Sequence, residues 1–332
     1  MNPTEFLNYR KNTWQVTKVK IFLISAAIFI LLLIIASFVC FLYCFTRKIK
    51  TRDMSTESGV KLVKMEKFKD IIFPAIQKSK ELPQEEIFIQ SYDGLKLHAV
   101  LYEAENADTT LILFHGWISS GLNDFCCIIP YYAEKGYNVL LVSQRGQGKS
   151  GGKYICMGTQ EKFDCVSWCE YINKRFGEEH NIFIEAISMG ASTVLFASAL
   201  KLPDNVRGII ADCGFTSPID IIKSVAWSKH IFPYPLVWMV ALWFRIFCGR
   251  SMYKDSTLDA MKKNKQPILF LHGESDGFVP CRMGKATYEA CTSDKQLILV
   301  PGAGHGQCYL VDTERCTQEL DKFIEKYSIT SD

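Results

Sequence analysis

The chain has 332 residues, of which 22% are charged and 48% hydrophobic, and it carries a net charge of +3 at neutral pH. That length holds one large α/β domain of roughly 250 residues plus an appendage. The ordinary composition and near-balanced charge exclude an electrostatic footprint for nucleic acid, and no nucleic-acid partner is expected.

The appendage comes first. After a basic flank at 1–20, residues Ile21 to Phe45 form 25 consecutive uncharged residues rich in Ile, Leu, Phe, Val and Ala. At about 1.5 Å per residue the run exceeds the roughly 30 Å hydrocarbon core of a bilayer. A cleaved signal peptide would have an apolar region of about 7–15 residues followed by small residues. Here the run ends in Tyr43-Cys44-Phe45-Thr46-Arg47-Lys48, so residues 21–45 read as a retained single-pass transmembrane helix. Arg10, Lys11, Lys18 and Lys20 precede it; Arg47, Lys48, Lys50, Arg52, Lys61 and Lys64 follow. This excess leans toward a cytoplasmic C-terminal domain by a small margin. The 13 cysteines lean the same way: they show neither a disulfide framework nor a C-x-x-C pair.

Residues 46–83 read as a stalk with a short amphipathic piece (Val63, Met65, Phe68, Ile71, Ile72), closed by Pro83. The membrane run and the domain beyond are expected to share no element. From residue 84 to about 328 the texture is that of alternating strands and helices. Residues 86–90 and 95–102, around Tyr92-Asp93-Gly94, predict a β-hairpin. Short runs rich in Val, Ile and Leu at 110–114, 138–142, 182–187, 208–212, 267–271 and 296–300 suit parallel strands buried on both faces. Helical patterns at 122–135, 160–176, 190–201, 281–291 and 313–327 separate them. The alternation predicts a doubly wound, mostly parallel sheet. An insert at about 215–263 interrupts it and contains three of the six tryptophans, Trp227, Trp238 and Trp243. It reads as a helical cap, packed on the domain or forming an apolar wall over a site.

Ligands of parallel α/β sheets bind beyond the carboxyl ends of the strands. The residues there are His115-Gly116-Trp117, Arg145 to Gly152, Ser188, His272 to Pro280, and Pro301 to Gly306. Ser188 sits between an apolar strand and a helical run of small residues, the form of a nucleophile elbow, with Gly190 two residues on. A serine hydroxyl needs an imidazole to take its proton, and the imidazole needs a carboxylate on its other nitrogen. Ser188, Asp276 and His305 supply nucleophile, orienter and base in that chain order. Glu274 and Asp212 remain as alternative carboxylates. The main-chain N–H groups of Met189 and Trp117 are the expected oxyanion donors, while His115 is expected to organise its loop.

With these phrases, and Ile187-Ser188-Met189-Gly190-Ala191, the chain resembles the α/β-hydrolase superfamily over residues 84–328, most of all its serine-peptidase and esterase-like branch. Ala186 stands where the elbow's first Gly would be, and Ser143 where members usually carry Asp. The resemblance implies an α/β-hydrolase fold; the apolar run adds one transmembrane helix before it, and the insert a helical cap. The resemblance implies serine hydrolysis and no particular substrate; a small-molecule or peptide acyl substrate is expected, with an apolar one favoured by the aromatic cap. No metal or organic cofactor is expected. Gly148-Lys149-Ser150 is no phosphate-binding loop, because Ser143 occupies the position of its first Gly and Gly151-Gly152 follow in place of a helix. Two rival readings are a catalytically silent scaffold protein of the same fold and an acyltransferase using the same triad.

Overall fold

The computed structural model describes residues 3–47 and 53–329. Lys48, Lys50 and Arg52 of the basic count lie outside these, as do the side chains of Arg10 and Lys11.

The first helix, α1 (Pro3–Phe45), is continuous through the apolar run. Its stretch Thr13–Phe45 is long and apolar enough to cross a membrane, and most of it is exposed. Beyond it, α2 (Glu57–Leu62), a 3-10 turn and α3 (Lys69–Glu81) occupy the segment expected as a stalk. They fold onto the domain: Val60, Phe68, Ile72 and Ile76 are buried in one cluster with Met54 and Cys126.

The hairpin β1 (Glu85–Gln90) and β2 (Lys96–Tyr102) opens the sheet. Then come β3 (Thr109–Phe114), α4 (Gly121–Phe125), α5 (Ile129–Glu134) and β4 (Asn138–Ser143). The helical pattern at 122–135 is thus two short helices, with Pro130 in the first turn of the second, where its missing N–H costs nothing. After α6 (Glu161–Phe176) come β5 (Asn181–Ile187), α7 (Met189–Ala197) and β6 (Val206–Asp212). The insert supplies α8 (Pro218–Ser228), α9 (Leu236–Cys248) and α10 (Thr257–Met261). The chain finishes with β7 (Ile268–Gly273), α11 (Cys281–Ala290), β8 (Lys295–Val300), α12 (Cys308–Val311) and α13 (Thr313–Tyr327).

The eight strands form one sheet in the order β1-β2-β4-β3-β5-β6-β7-β8. β1/β2 and β2/β4 pair antiparallel, and every later pair is parallel. β3, β5 and β7 are buried along their whole length because helices cover both faces. One core layer gathers Phe114, Trp168, Ile184, Val194 and Phe270; the other gathers Leu113, Tyr132, Phe183, Leu269 and Phe323.

A third cluster joins the membrane run to the domain, contrary to the expectation that they share no element. Phe41 and Phe45 of α1 are fully buried among Met189, Phe215, Val240 and Phe244. The main chain continues the bond: Phe45 O accepts from Ile155 N at 2.7 Å, and Arg47 N donates to Lys153 O at 2.8 Å. The last turn of α1 carried no local signal of this, because its partners lie more than 70 residues away.

Candidate active site

Parallel register brings the carboxyl ends of β3, β5, β6, β7 and β8 to one rim, with Phe114 opposite Ala186, Ile187 opposite Asp212, and Gly273 opposite Val300. Ser188 turns the chain from β5 into α7 at φ 58° and ψ −116°, a conformation sparsely populated for a residue with a Cβ. Its N–H donates to Asp212 O at 2.8 Å and its C=O accepts from Ser192 N at 3.1 Å, so the strained turn is held from both sides. A Cβ on Gly190 would stand 2.1 Å from Phe114 O, which is why this position tolerates no side chain. Ala186, at the elbow's other small position, is buried without exposure, between Phe114 and Ala211 in register.

The three residues singled out in chain order meet here. His305 Nε2 lies 2.9 Å from Ser188 Oγ, and His305 Nδ1 lies 2.7 Å from Asp276 Oδ2. Asp276 Oδ1 accepts from the N–H groups of Phe278 and Val279 at 2.8 and 2.9 Å. Burial alone would raise the Asp276 carboxyl, but the bonds from His272, His305 and Phe278 N hold it well below the usual carboxylate range. With Asp276 anionic, Nδ1 of His305 carries the proton and Nε2 is left to accept one from serine. The two alternative carboxylates stand elsewhere. Glu274 is exposed, and buried Asp212 accepts from the Cys308 thiol at 3.3 Å. Burial pushes the Asp212 carboxyl up to about 6.

Met189 N opens α7 and belongs to the first-turn N–H groups that a helix leaves without an internal partner. The facing loop after β3 is held by its own bonds. Gly116 N donates to Asp124 Oδ2 at 2.7 Å, and Ser119 Oγ to Asp124 Oδ1 at 2.5 Å. His115 is fully buried; its Nε2 accepts from Gln144 N at 3.2 Å, which leaves the proton on Nδ1, 2.8 Å from Gly116 O. Burial lowers the His115 imidazole, so it stays neutral and organises the loop. The Trp117 indole donates to Cys44 O at 2.8 Å, binding this loop to the last turn of α1.

Three neighbours had no assigned role in the sequence. His272 is buried with Nε2 2.9 Å from Val279 O and 3.5 Å from Asp276 Oδ2, a second imidazole against the same carboxylate. Burial pulls its basicity down, but Asp276, Val279 O and Asp212 outweigh that and raise it. The Phe278 ring lies 5.1 Å from the His305 ring and forms an exposed side wall. Cys213 shares with Asp276 and His305 the one metal-ligand cluster among the described residues, within 4.8 Å. Burial and Asp212 push its thiol well above its ordinary value, and His305 is already held on both nitrogens, so this is a poor donor set for an ion.

The cap differs from an aromatic wall over the serine. Val237, Val240 and Phe244 face inward toward Met189 and Phe215. Trp243 instead donates to Ser37 Oγ of α1 at 3.0 Å, and Trp227, Phe232 and Trp238 are exposed. Lys149 pairs with Glu86, and Ser150 Oγ donates to Ser143 O at 2.5 Å, so both polar residues of the Gly148-Lys149-Ser150 string have local partners.

Residues 109–234 match the family described as the alpha/beta hydrolase fold, and residues 243–331 match that of a TAP-like protein. The chain is similar to the uncharacterized protein YqkD of Bacillus subtilis, with 25% identity over 235 residues, covering 70% of this chain and 76% of the relative. An uncharacterized membrane protein of Saccharomyces cerevisiae shares 25% over 236 residues, covering 70% and 78%. Among solved structures, an esterase from Pyrococcus furiosus superposes with a TM-score of 0.64 at 21% identity, covering 76% of this chain and 94% of the esterase.

Proposed function

Because the chain belongs to the α/β-hydrolase family, we propose that it is a membrane-anchored serine hydrolase that cleaves an ester, thioester or peptide acyl bond. The observation that carries this reading is the unbroken bond chain Ser188–His305–Asp276 at 2.9 and 2.7 Å, with the serine at the mouth of a helix N-terminus. Ser188 Oγ attacks the acyl carbonyl as its proton passes to His305 Nε2. The carbonyl π electrons move to oxygen, and the resulting oxyanion takes hydrogen bonds from the N–H groups of Met189 and Trp117. Collapse expels the leaving group, which receives the proton from His305 and leaves an acyl-enzyme. Water, deprotonated by the same imidazole, attacks the acyl-enzyme ester; collapse breaks the acyl–Oγ bond, releases the carboxylic acid and returns the proton from His305 to Ser188 Oγ. Asp276 keeps the proton on Nδ1 and stabilises the imidazolium.

We propose a cytoplasmic catalytic domain on the Lys/Arg excess after α1, a reading supported by 13 cysteines that form no regular disulfide framework in the sequence. Protease accessibility of α13 in sealed vesicles tests that side.

A fluorophosphonate probe traps a serine activated by a neighbouring imidazole. The full chain should be labelled at Ser188, and Ser188→Ala or His305→Ala should abolish labelling without changing the circular dichroism. An unlabelled native chain would favour a silent scaffold. Product analysis with added alcohol, thiol or amine acceptors separates hydrolysis from acyl transfer, and ester, thioester and aminoacyl panels separate the substrate classes.

A further inference from the structure

Helix α9 has two apolar faces. Val237, Val240, Ala241, Phe244 and Cys248 are buried against the domain, which accounts for one. The opposite face carries Trp238, Leu242 and Ile246, exposed by 58, 55 and 57%. Only Arg245 interrupts it. A helix on an aqueous surface places polar residues there; one apolar all round is covered on all sides. Trp227 and Phe232 extend the patch, with Phe232 edge-on to Trp227 at 5.7 Å.

What covers this face follows from its neighbour. α9 lies along α1: the Phe38 ring is 5.1 Å from Trp243 and 5.8 Å from Phe247, and Phe41 stacks on Phe247 at 5.2 Å. These α1 residues close the uncharged run that starts after Lys20. A hydrocarbon core of about 30 Å takes up about 20 residues of helix, and so runs from Ile21 to near Cys40. Ser37–Phe45 therefore straddles the boundary between acyl chains and head groups, and whatever surrounds α1 there meets α9.

We propose that the exposed face of α9, with Trp227 and Phe232, is inserted in the lipid bilayer beside α1, as a second membrane contact at the interface. Trp227 and Trp238 sit where indoles are enriched, at the head-group level. Lys229 and Arg245, both exposed, reach the phosphates. The occupant is lipid because the patch is continuous, through Phe247 and Phe38, with a surface that lipid must already cover.

The test uses the full chain in phosphatidylcholine vesicles containing phosphatidylserine. p-Benzoylphenylalanine replaces Leu242 or Ile246, with Ile28 of α1 as the embedded reference. Glu178, exposed in the loop that enters β5 at the rim opposite Ser188, is the aqueous reference. On illumination, Leu242 and Ile246 should give lipid adducts as Ile28 does, about tenfold above Glu178. Cross-linked dimers at Leu242 or Ile246 would assign the face to a second copy. No adduct there with adduct at Ile28 would put the face in water, and no adduct at Ile28 would remove the premise. Each overturns the proposal. As an independent reading on a nearly native chain, Trp227→Phe with Trp238→Phe should lower the fluorescence quenching by lipids brominated near the head group. Trp168→Phe, a fully buried ring, should not. Unchanged quenching in the double variant would count equally against insertion.

Discussion

At the scale of single residues, two buried carboxylates near the serine behave in opposite ways. Asp276 is surrounded by donors and stays ionised. Asp276→Asn keeps the shape but favours the wrong tautomer of His305, so kcat on a small ester should fall by about four orders of magnitude. A near-normal rate would mean that another group orients the base. Glu185, three residues before Ser188, is buried, and desolvation lifts its carboxyl from 4.5 to about 7 although Tyr132 O–H donates to it at 2.6 Å. The folded state thus holds a proton that the unfolded chain releases. The contribution to stability is complete below about pH 4 and lost as pH rises to about 7. Glu185→Gln removes that loss, and should stabilise the chain by about 3 kcal/mol at pH 8 but hardly at pH 4. Denaturant unfolding in detergent at the two pH values measures it; equal shifts would refute the assignment. Ser188, Asp276 and His305 were legible because each follows a strand and the chain order is informative. His272 was visible only as part of a phrase, since its contact with Asp276 Oδ2 depends on a turn that no spacing encodes.

At the scale of elements, the strands were read to within two residues, because runs of β-branched residues bounded by turns carry the pattern locally. The segment 46–83 was harder: its apolar residues are few, and they find partners in Leu122 and Cys126 only after the domain has formed. The elbow gives a sharp test. Gly190→Ala must displace either α7 or the end of β3, so fluorophosphonate labelling should slow on the order of a hundredfold. Undiminished labelling would show that the junction has slack. The anchor gives another. Removing residues 1–33 should leave labelling intact. Removing 1–45 takes Phe41 and Phe45 from their cluster and strips the Trp117 indole of Cys44 O. Labelling should then fall on the order of a hundredfold even where circular dichroism shows a folded chain. Equal rates for the two truncations would exclude a contribution of the helix end to the site.

At the scale of the whole molecule, the union of α1 with the sheet would set the reach of the proposed enzyme. A domain on a flexible tether explores a volume whose radius grows as the square root of the tether's length. Here the join is a helix turn whose Phe41 and Phe45 side chains are fully buried, Phe45 among Met189 and Phe215, so the domain is tied to the orientation of the helix. With α1 across the bilayer and Ser188 as the nucleophile, as proposed, that serine would keep a nearly constant altitude above the membrane. Its catchment would then be a thin sheet parallel to the lipid surface, filled by lateral diffusion, and a molecule free in solution would enter it only by coming down to the surface.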